Sequence, residues 1–374
     1  MNEKLRALLE KQPPPTTPFW ENTRSRIFIY GTGGMAQSVY RVLTEKGLVV
    51  SGFLDHRASV NPFLNGLPIL TPENASGAIV VIGIHNRDAD VPVIIEGLKI
   101  SGAERIINPV ELYDFFSDEL GIRYWLTKKD YYFSFKSLIE EVGSIWADEA
   151  SQSLYTSILE FRINGDYSVL PQPDLARQYF PLDIPAWKTP LRFVDCGAFD
   201  GDTLLNFQKS NIPFEAVSAF EPDERNFGRL ARFVHANEGY FRSANLWPCG
   251  VSSSIRQLSF DTGHGEASAV SFGGSSTVQC VSLDEAIPNF MPNLIKMDIE
   301  GAELDALLGA RNLIRKSHTG LAISIYHRPE HLWQIPLLIE DLAMGHYQYY
   351  LRVHGFNDFD LVLYCIPIIA GKSA

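Results

Sequence analysis

The sequence has no surplus of positive charge: 32 lysines and arginines stand against 44 aspartates and glutamates, a formal net charge of −12 over 374 residues. A phosphate-backbone partner calls for a basic face, so nucleic acid is not expected as a partner. Long apolar runs are also missing. No stretch reaches the ~18 apolar residues of a membrane-spanning helix. The N-terminal MNEKLRALLEKQPPPTTP carries charges where a signal peptide would be apolar. The expectation is therefore a cytoplasmic protein with no membrane partner. Cysteine is scarce: Cys196, Cys249, Cys280 and Cys365 lie far apart with no CxxC pair. That spacing argues against zinc-ribbon and dithiol redox chemistry and for buried free thiols. No metal site is expected. What the chain does have is a 45% apolar composition over a length that suffices for two domains with separate cores.

Residues 1–24 read as one short amphipathic helix followed by a stiff proline linker. RIFIY then forms a strand that runs into Gly31-Thr32-Gly33-Gly34-Met35-Ala36, and Ala36, Val39, Tyr40 and Leu43 mark one face of the following helix. A second strand, 49–54, ends in Asp55, and a third, 78–83, ends at Ile84-His85-Asn86. Strand, GxGxxA turn, helix, strand and terminal acid make a mononucleotide-binding half. In it Asp55 would meet ribose hydroxyls, and Gly31 and Gly33 would let a phosphate approach the helix N-terminus. The same glycines also serve tight packing of a helix over a strand, so a ligand-free fold stays open. The layout GTGGMAQSVYRVL…VVSGFLD…NGLPIL…VVIGIHN, over 26–110, resembles the N-terminal domain of the bacterial sugar acetyltransferases that bind nucleotide sugars, and NAD-binding domains as well. The resemblance implies a nucleotide or nucleotide sugar near Gly31, Gly33 and Asp55. The domain is placed at 25–115.

From 116 to 189 the pattern changes to aromatic and charged residues at helical spacing: DFFSDEL just before it, then YWLTKKDYYFSFKSLIEEV and ADEASQSLYTSILEFRI. This reads as a helical connector. Its last part, VLPQPDLARQYFPLDIPAW, is punctuated by prolines that break helices. Tyr179, Phe180 and Trp187 there either simply pack, the plainer reading for aromatics, or belong to a cap that presents Gln178 and Tyr179 to a substrate.

The remainder, 190–374, is organised around LRFVDCGAFDGD at 191–202, a buried strand feeding a glycine turn. A strand ending in Glu221-Pro222-Asp223 follows, with Phe227, Leu230, Ala231 and Val234 on one face of the next helix. A hairpin, QLSF…VQCVSL, encloses a Gly/Ser-rich loop over 262–276. Next come a strand over 293–299, a helix with Leu304, Leu307, Leu308 and Ile314 inward, a strand at 320–326, and a final antiparallel pair at the sheet edge. Asp195, Glu221 and Asp298 would converge at the carboxyl edge of this sheet. The turn is not GxGxxG and no lysine follows it as in a P-loop, so a triphosphate is not expected. Acids without a phosphate cradle suit a cationic, ribose-bearing ligand such as S-adenosylmethionine: Gly197 lets it approach, Glu221 accepts from the ribose, and Asp195 bonds near the methionine moiety. A single such acid would more often be a helix cap, the role expected of Asp223.

FVDCGAFDGDT, AFEPD and KMDIEGAELDALLGA, in this order, resemble the FkbM-type methyltransferases over about residues 190–370. The resemblance implies a doubly wound, seven-stranded, Rossmann-like α/β sheet. It also implies S-adenosylmethionine as cofactor, contacts at Asp195, Gly197, Phe199, Gly201, Glu221 and Asp298, and O-methylation of a hydroxylated small molecule, sugar or natural product. An alcohol is a weak nucleophile and needs a base. Asp298 is the first candidate and His327 the second, with Glu300 orienting the turn and Glu303 neutralising the helix N-terminus. His327-Arg-Pro-Glu-His331 fits H-x-x-E-H, but Pro329 breaks the helix that such a zinc site requires. Two other readings stand beside this one: a nucleotide-sugar or NAD-binding protein whose N-terminal domain is the functional part, and a catalytically dead scaffold. A homo-oligomer is compatible with all three.

Overall fold

The computed structural model describes residues 3–11, 17–21, 24–58, 60, 62–260, 276–317 and 319–368. Two compact units emerge. The first comprises Met1–Ser144, Gln152–Asp174 and Val353–Phe359, and the second Ile145–Ser151, Leu175–Arg352 and Asp360–Ala374. The proline linker at 12–16 lies outside the described residues, as does nearly all of the Gly/Ser-rich loop, 261–275.

In chain order the first unit contains α1 (Glu3–Glu10), β1 (Ile27–Tyr30), α2 (Gly34–Glu45), β2 (Val50–Leu54), β3 (Phe63–Leu64), β4 (Leu67–Leu70), β5 (Ile79–Ile82), α3 (Val91–Ile100), β6 (Arg105–Ile107), α4 (Pro109–Leu120), α5 (Asp130–Ser134), α6 (Lys136–Val142) and most of α7 (Glu149–Asn164). The strands pair in the order β3-β4-β2-β1-β5-β6, parallel except for β3. β1 and β5 are buried along their whole length, as continuous apolar runs in a covered parallel sheet require. Gly31 has φ +101°, and a Cβ there would sit 2.6 Å from Ile84 Cγ1. The helices expected of a connector carry much of this unit's core through Trp125, Tyr132, Ile139, Tyr155 and Phe161.

The second unit contains β7 (Leu191–Cys196), α8 (Asp202–Lys209), β8 (Phe214–Phe220), α9 (Glu224–Ala236), β9 (Ala244–Trp247), β10 (Gly250–Val251), β11 (Arg256–Phe260), β12 (Ser276–Val281), α10 (Leu283–Ala286), β13 (Leu294–Met297), α11 (Glu303–Leu308), α12 (Arg311–Ser317), β14 (Gly320–Ser324), α13 (His331–Ala343), β15 (Tyr347–Val353) and β16 (Leu361–Pro367). Its main sheet has seven strands in the order β15-β16-β14-β13-β7-β8-β9, as expected of a doubly wound methyltransferase-type sheet. β16 runs antiparallel to β14, so the last strand of the chain is inserted and β15 forms the edge. The expected hairpin exists as β11 against β12 in a side sheet. Phe193, Val194, Val217, Ile295 and Ile323 are fully buried, and each contributes roughly 1.5–3 kcal/mol by leaving water.

One expectation fails locally. The helix after β13 is not continuous: α11 and α12 are separated at Gly309 and Ala310, and Leu308 is exposed. A Cβ at Gly309 would lie 2.1 Å from the Ser252 carbonyl oxygen, so the chain turns there against a distant loop. The inward stripe becomes Glu303, Ala306 and Leu307, and a carboxylate occupies the place where an apolar residue was expected.

Candidate active site

The order of the sheet reverses at β7: β8 and β9 lie on one side, β13 and β14 on the other. Ligands of open α/β sheets sit at the carboxyl ends of strands at such a switch point. β7 runs straight into the turn there. Gly197 and Ala198 both donate to the Phe220 carbonyl at 3.0 Å, and Asp298 N–H donates to the Cys196 carbonyl at 3.1 Å. Gly197 has φ +78°, and a Cβ would fall 2.0 Å from the Asp298 carbonyl oxygen. Gly197→Ala is therefore expected to cost about 3 kcal/mol or more, from left-handed strain plus a backbone clash, measured as a lower midpoint in denaturant unfolding. Gly201, φ +93°, is the N-cap of α8, and Phe199 holds φ +47°.

Two of the three strand-end acids are deeply buried. Asp195 lies 3.0 Å from Lys296 Nζ, which also donates to the Gly197 carbonyl at 2.6 Å. Burial works against the ammonium charge, but Asp195, with Asp298 and Asp202 nearby, raises the Lys296 pKa above the usual lysine value. Glu221 accepts from Phe199 N–H and Asp223 N–H, both at 2.8 Å, and burial still pushes its pKa up to about 7. Asp223 caps α9 by accepting from Arg225 and Asn226 N–H at 3.0 Å, the role read for it in the sequence.

Asp298 collects the rest of the site. Its Oδ2 accepts from the Tyr179 hydroxyl at 3.0 Å, and that hydroxyl in turn accepts from Gln178 Nε2 at 3.1 Å. Its Oδ1 faces the Tyr326 hydroxyl at 3.5 Å and His327 Nε2 at 3.4 Å. Glu300 Oε2 is 3.7 Å from the same imidazole nitrogen. On the far side of the ring, His327 Nδ1 meets Glu303 Oε1 at 2.8 Å, and His331 Nδ1 lies 3.4 Å from Glu303 Oε2. Burial alone would lower the His327 pKa, but Glu303, Glu300 and Asp298 together push it up to about 10. Glu303 is held down to about 2, against burial, chiefly by His327. Burial pushes Glu300 up to about 7, against the pull of His327.

The structure thus brings Asp195, Gly197, Phe199, Gly201, Glu221, Asp298 and His327 to one end of one sheet. In the proline-rich stretch Tyr179, Phe180 and Trp187 pack in the core of the second unit, and Tyr179 also donates to Asp298 while Gln178 donates to the Tyr179 hydroxyl. The expected roles of the two glutamates differ: it is Glu303 that orients the turn, accepting from Ile299 N–H at 2.9 Å. Lys296 was not singled out in the sequence. The signal was a lone lysine inside the apolar strand NLIKMD, where a buried charge must have a partner. His327 and His331 do not share a helix, because α13 starts at His331, and among the described residues no cluster of His, Cys, Asp and Glu is arranged to hold a metal. In the first unit, Asp55 is engaged within its own turn. It accepts from Thr32 Oγ1 at 2.9 Å, from Arg57 N–H at 2.9 Å and from the Arg57 guanidinium at 3.2 Å. Gly33 is the N-cap of α2 without a side-chain cap. The nucleotide or nucleotide sugar expected at Gly31, Gly33 and Asp55 has no support: the acid meant for the ribose already neutralises an arginine.

Residues 195–357 match the methyltransferase FkbM domain. That stretch, nearly all of it in the second unit, is what resembles the FkbM methyltransferases. Over the whole chain the fold is similar to that of the methyltransferase FkbM of Methylobacillus flagellatus. The TM-score is 0.74 at 22% identity, and the match covers 98% of this chain and 94% of that one. In sequence, the chain is 33% identical over 105 residues to the hexuronic acid methyltransferase AglP of Haloferax volcanii. That match spans 26% of this chain and 43% of the relative's length. No helix among the described residues is long and apolar enough to cross a membrane.

Proposed function

We propose that the chain is an S-adenosylmethionine-dependent O-methyltransferase that acts on a hydroxyl of a sugar or related acceptor, with Asp298 as the base. The observation that carries this reading is the convergence on Asp298 of Tyr179, Tyr326 and His327 beside a glycine turn packed on its own carbonyl. The donor set fits the cofactor. Glu221 is a buried carboxylate with no side-chain cation within salt-bridge reach among the described residues, the kind of acceptor that ribose hydroxyls satisfy, and Gly197, Phe199 and Gly201 hold the left-handed backbone of the turn beside it. Bound there, S-adenosylmethionine would supply a methyl carbon on a sulfonium. Asp298 takes the proton of the acceptor hydroxyl as the oxygen becomes nucleophilic. Tyr179 fixes the carboxylate from one side while donating to Oδ2, and the Lys296 ammonium, 5.5 Å from the centre of the Tyr179 ring, holds that ring in place. His327 is cationic at neutral pH, so it holds no lone pair with which to act as base. It opposes the Asp298 charge instead.

A sugar acceptor is favoured by the partial likeness to a hexuronic acid methyltransferase. The test is calorimetric titration with S-adenosylmethionine and its demethylated product, followed by methyl transfer to a panel of hydroxylated acceptors. Micromolar cofactor binding that is weakened at least tenfold by Glu221→Gln is expected, from the loss of charge-assisted hydrogen bonds. Absence of binding to the wild-type protein counts against the reading.

A further inference from the structure

Asp195 ends the strand that feeds the glycine turn, yet no face of its side chain is open to a ligand. It is 0% exposed, and both carboxylate oxygens are closed to solvent. The charge that balances it comes from the next strand. Lys296 on β13 stands in direct parallel register with Asp195 on β7, its ammonium 3.0 Å from Asp195 Oδ1, and it is buried as well. A lysine is almost never buried unless it is paired, so each of the two explains the other.

The Lys296 ammonium sits between the sheet and a loop. On the sheet side it meets Asp195 and donates to the Gly197 carbonyl at 2.6 Å. That frame is fixed by other bonds too: Gly197 and Ala198 N–H donate to the Phe220 carbonyl, and Asp298 N–H donates to the Cys196 carbonyl. On the loop side the ammonium lies 5.5 Å from the centre of the Tyr179 ring, within the range of a cation–π contact and strongest when desolvated, as here. Trp187 Nε1 donates to the Tyr179 carbonyl at 2.6 Å, which holds the backbone and leaves the ring direction to its neighbours. The Tyr179 hydroxyl donates to Asp298 Oδ2 at 3.0 Å. A chain of contacts therefore runs from Asp195 through Lys296 and Tyr179 to Asp298.

We propose, resting on the reading of Asp298 as the base, that Asp195 and Lys296 are a positioning pair for that base and that Asp195 makes no contact with the cofactor. This replaces the bond near the methionine moiety expected of Asp195 from the sequence. Asp195 and the Gly197 carbonyl fix the ammonium, the ammonium fixes the Tyr179 ring, and the ring aims its hydroxyl at Asp298. Removal of the pair leaves the glycine turn on its backbone bonds, so cofactor binding survives while the aim of the base is lost.

The test is a variant of the full chain carrying Asp195→Asn and Lys296→Met together, since exchange of both buried charges for neutral groups is tolerated far better than loss of one. Lys296→Met alone is the second variant: burial pushes the Asp195 pKa up to about 6 even against the pull of Lys296, so without the ammonium Asp195 takes up a proton. In both, calorimetric affinity for S-adenosylmethionine should stay within about threefold of wild type, while kcat at saturating cofactor and acceptor falls about tenfold, the scale of a desolvated cation–π contact. Tyr179→Phe, added to either variant, should cost at least about threefold less in kcat than it does in wild type, because residues in one chain of contacts do not add. A merely structural pair would lower the unfolding midpoint without that coupling. Cofactor affinity weakened beyond threefold would restore Asp195 as a cofactor contact. A kcat within threefold of wild type, or a full Tyr179→Phe effect in the variants, would overturn the positioning role. A wild-type chain that transfers no methyl group would remove the reading of Asp298 itself, and the pair's role with it.

Discussion

Asp298→Asn is expected to lower the methyl-transfer turnover by about 10²–10⁴-fold, the usual contribution of a positioned general base. The substitution keeps the shape of the side chain, and the amide oxygen can still accept from Tyr179. What it removes is the ability to take a proton, so the loss belongs in kcat, with the acceptor KM changed little. Tyr179→Phe tests the same arrangement from the other side. It deletes the hydroxyl that donates to Oδ2 at 3.0 Å, and a hydrogen bond to a charged group is worth about 1.5–3 kcal/mol. A fall of roughly 10–100-fold therefore follows. Steady-state kinetics on the best acceptor measures both. A turnover within tenfold of wild type for Asp298→Asn would remove Asp298 as the base and return attention to Glu300, whose pKa near 7 also suits proton transfer.

The main features of the fold are legible in local sequence because a parallel sheet buries both faces of its strands. IFIY, IVVI and LRFVDC are short apolar runs closed by glycine turns, and they correspond to β1, β5 and β7 within one residue or so of the expected bounds. The acids could be placed for the same reason, since a residue directly after such a run must stand at the strand's carboxyl end. The break at Gly309 was not legible, because it depends on the Ser252 carbonyl from another loop. The burial of Glu303 was hidden too, since a carboxylate in an inward position makes sense only once His327 and His331 are beside it.

The candidate site was legible where it is local and hidden where it is assembled. Asp195, Gly197 and Gly201 belong to one continuous turn. Tyr179 lies 119 residues from Asp298, in a stretch whose aromatics look like packing residues, and only the fold brings its hydroxyl to the acid. Lys296 shows the limit from another direction. A lysine in an apolar strand signals a buried partner, but the partner is Asp195 on the neighbouring strand in direct register. At Asp55 the misleading element was the motif itself, because strand, glycine turn and acid recur whether the acid serves a ligand or an arginine two residues on.

Glu303→Gln should produce the largest loss of stability, and one that depends on pH in a predictable direction. Glu303 is held at about 2 and His327 at about 10 in the folded protein, against roughly 4.3 and 6.5 in an unfolded chain. A depressed carboxyl stabilises above its unfolded value and loses that contribution as pH falls through the folded one. A raised imidazole stabilises below its unfolded value and loses that contribution as pH rises through the folded one. The pair therefore contributes fully between about pH 4.3 and 6.5. Its contribution declines towards pH 2 on one side and towards pH 10 on the other. Removing one partner of a buried ion pair costs about 3–5 kcal/mol because the other is left uncompensated. Near pH 6 the variant should show that full penalty. By pH 9 the penalty should shrink, since wild type has by then lost much of what the pair gave it, and the variant's imidazole has no nearby Glu303 charge to keep it protonated. Denaturant melts at the two pH values, compared at equal m, measure this. A penalty identical at pH 6 and pH 9 would mean that Glu303 contributes packing alone, and His327 would then lose its place as the fixed cation facing Asp298.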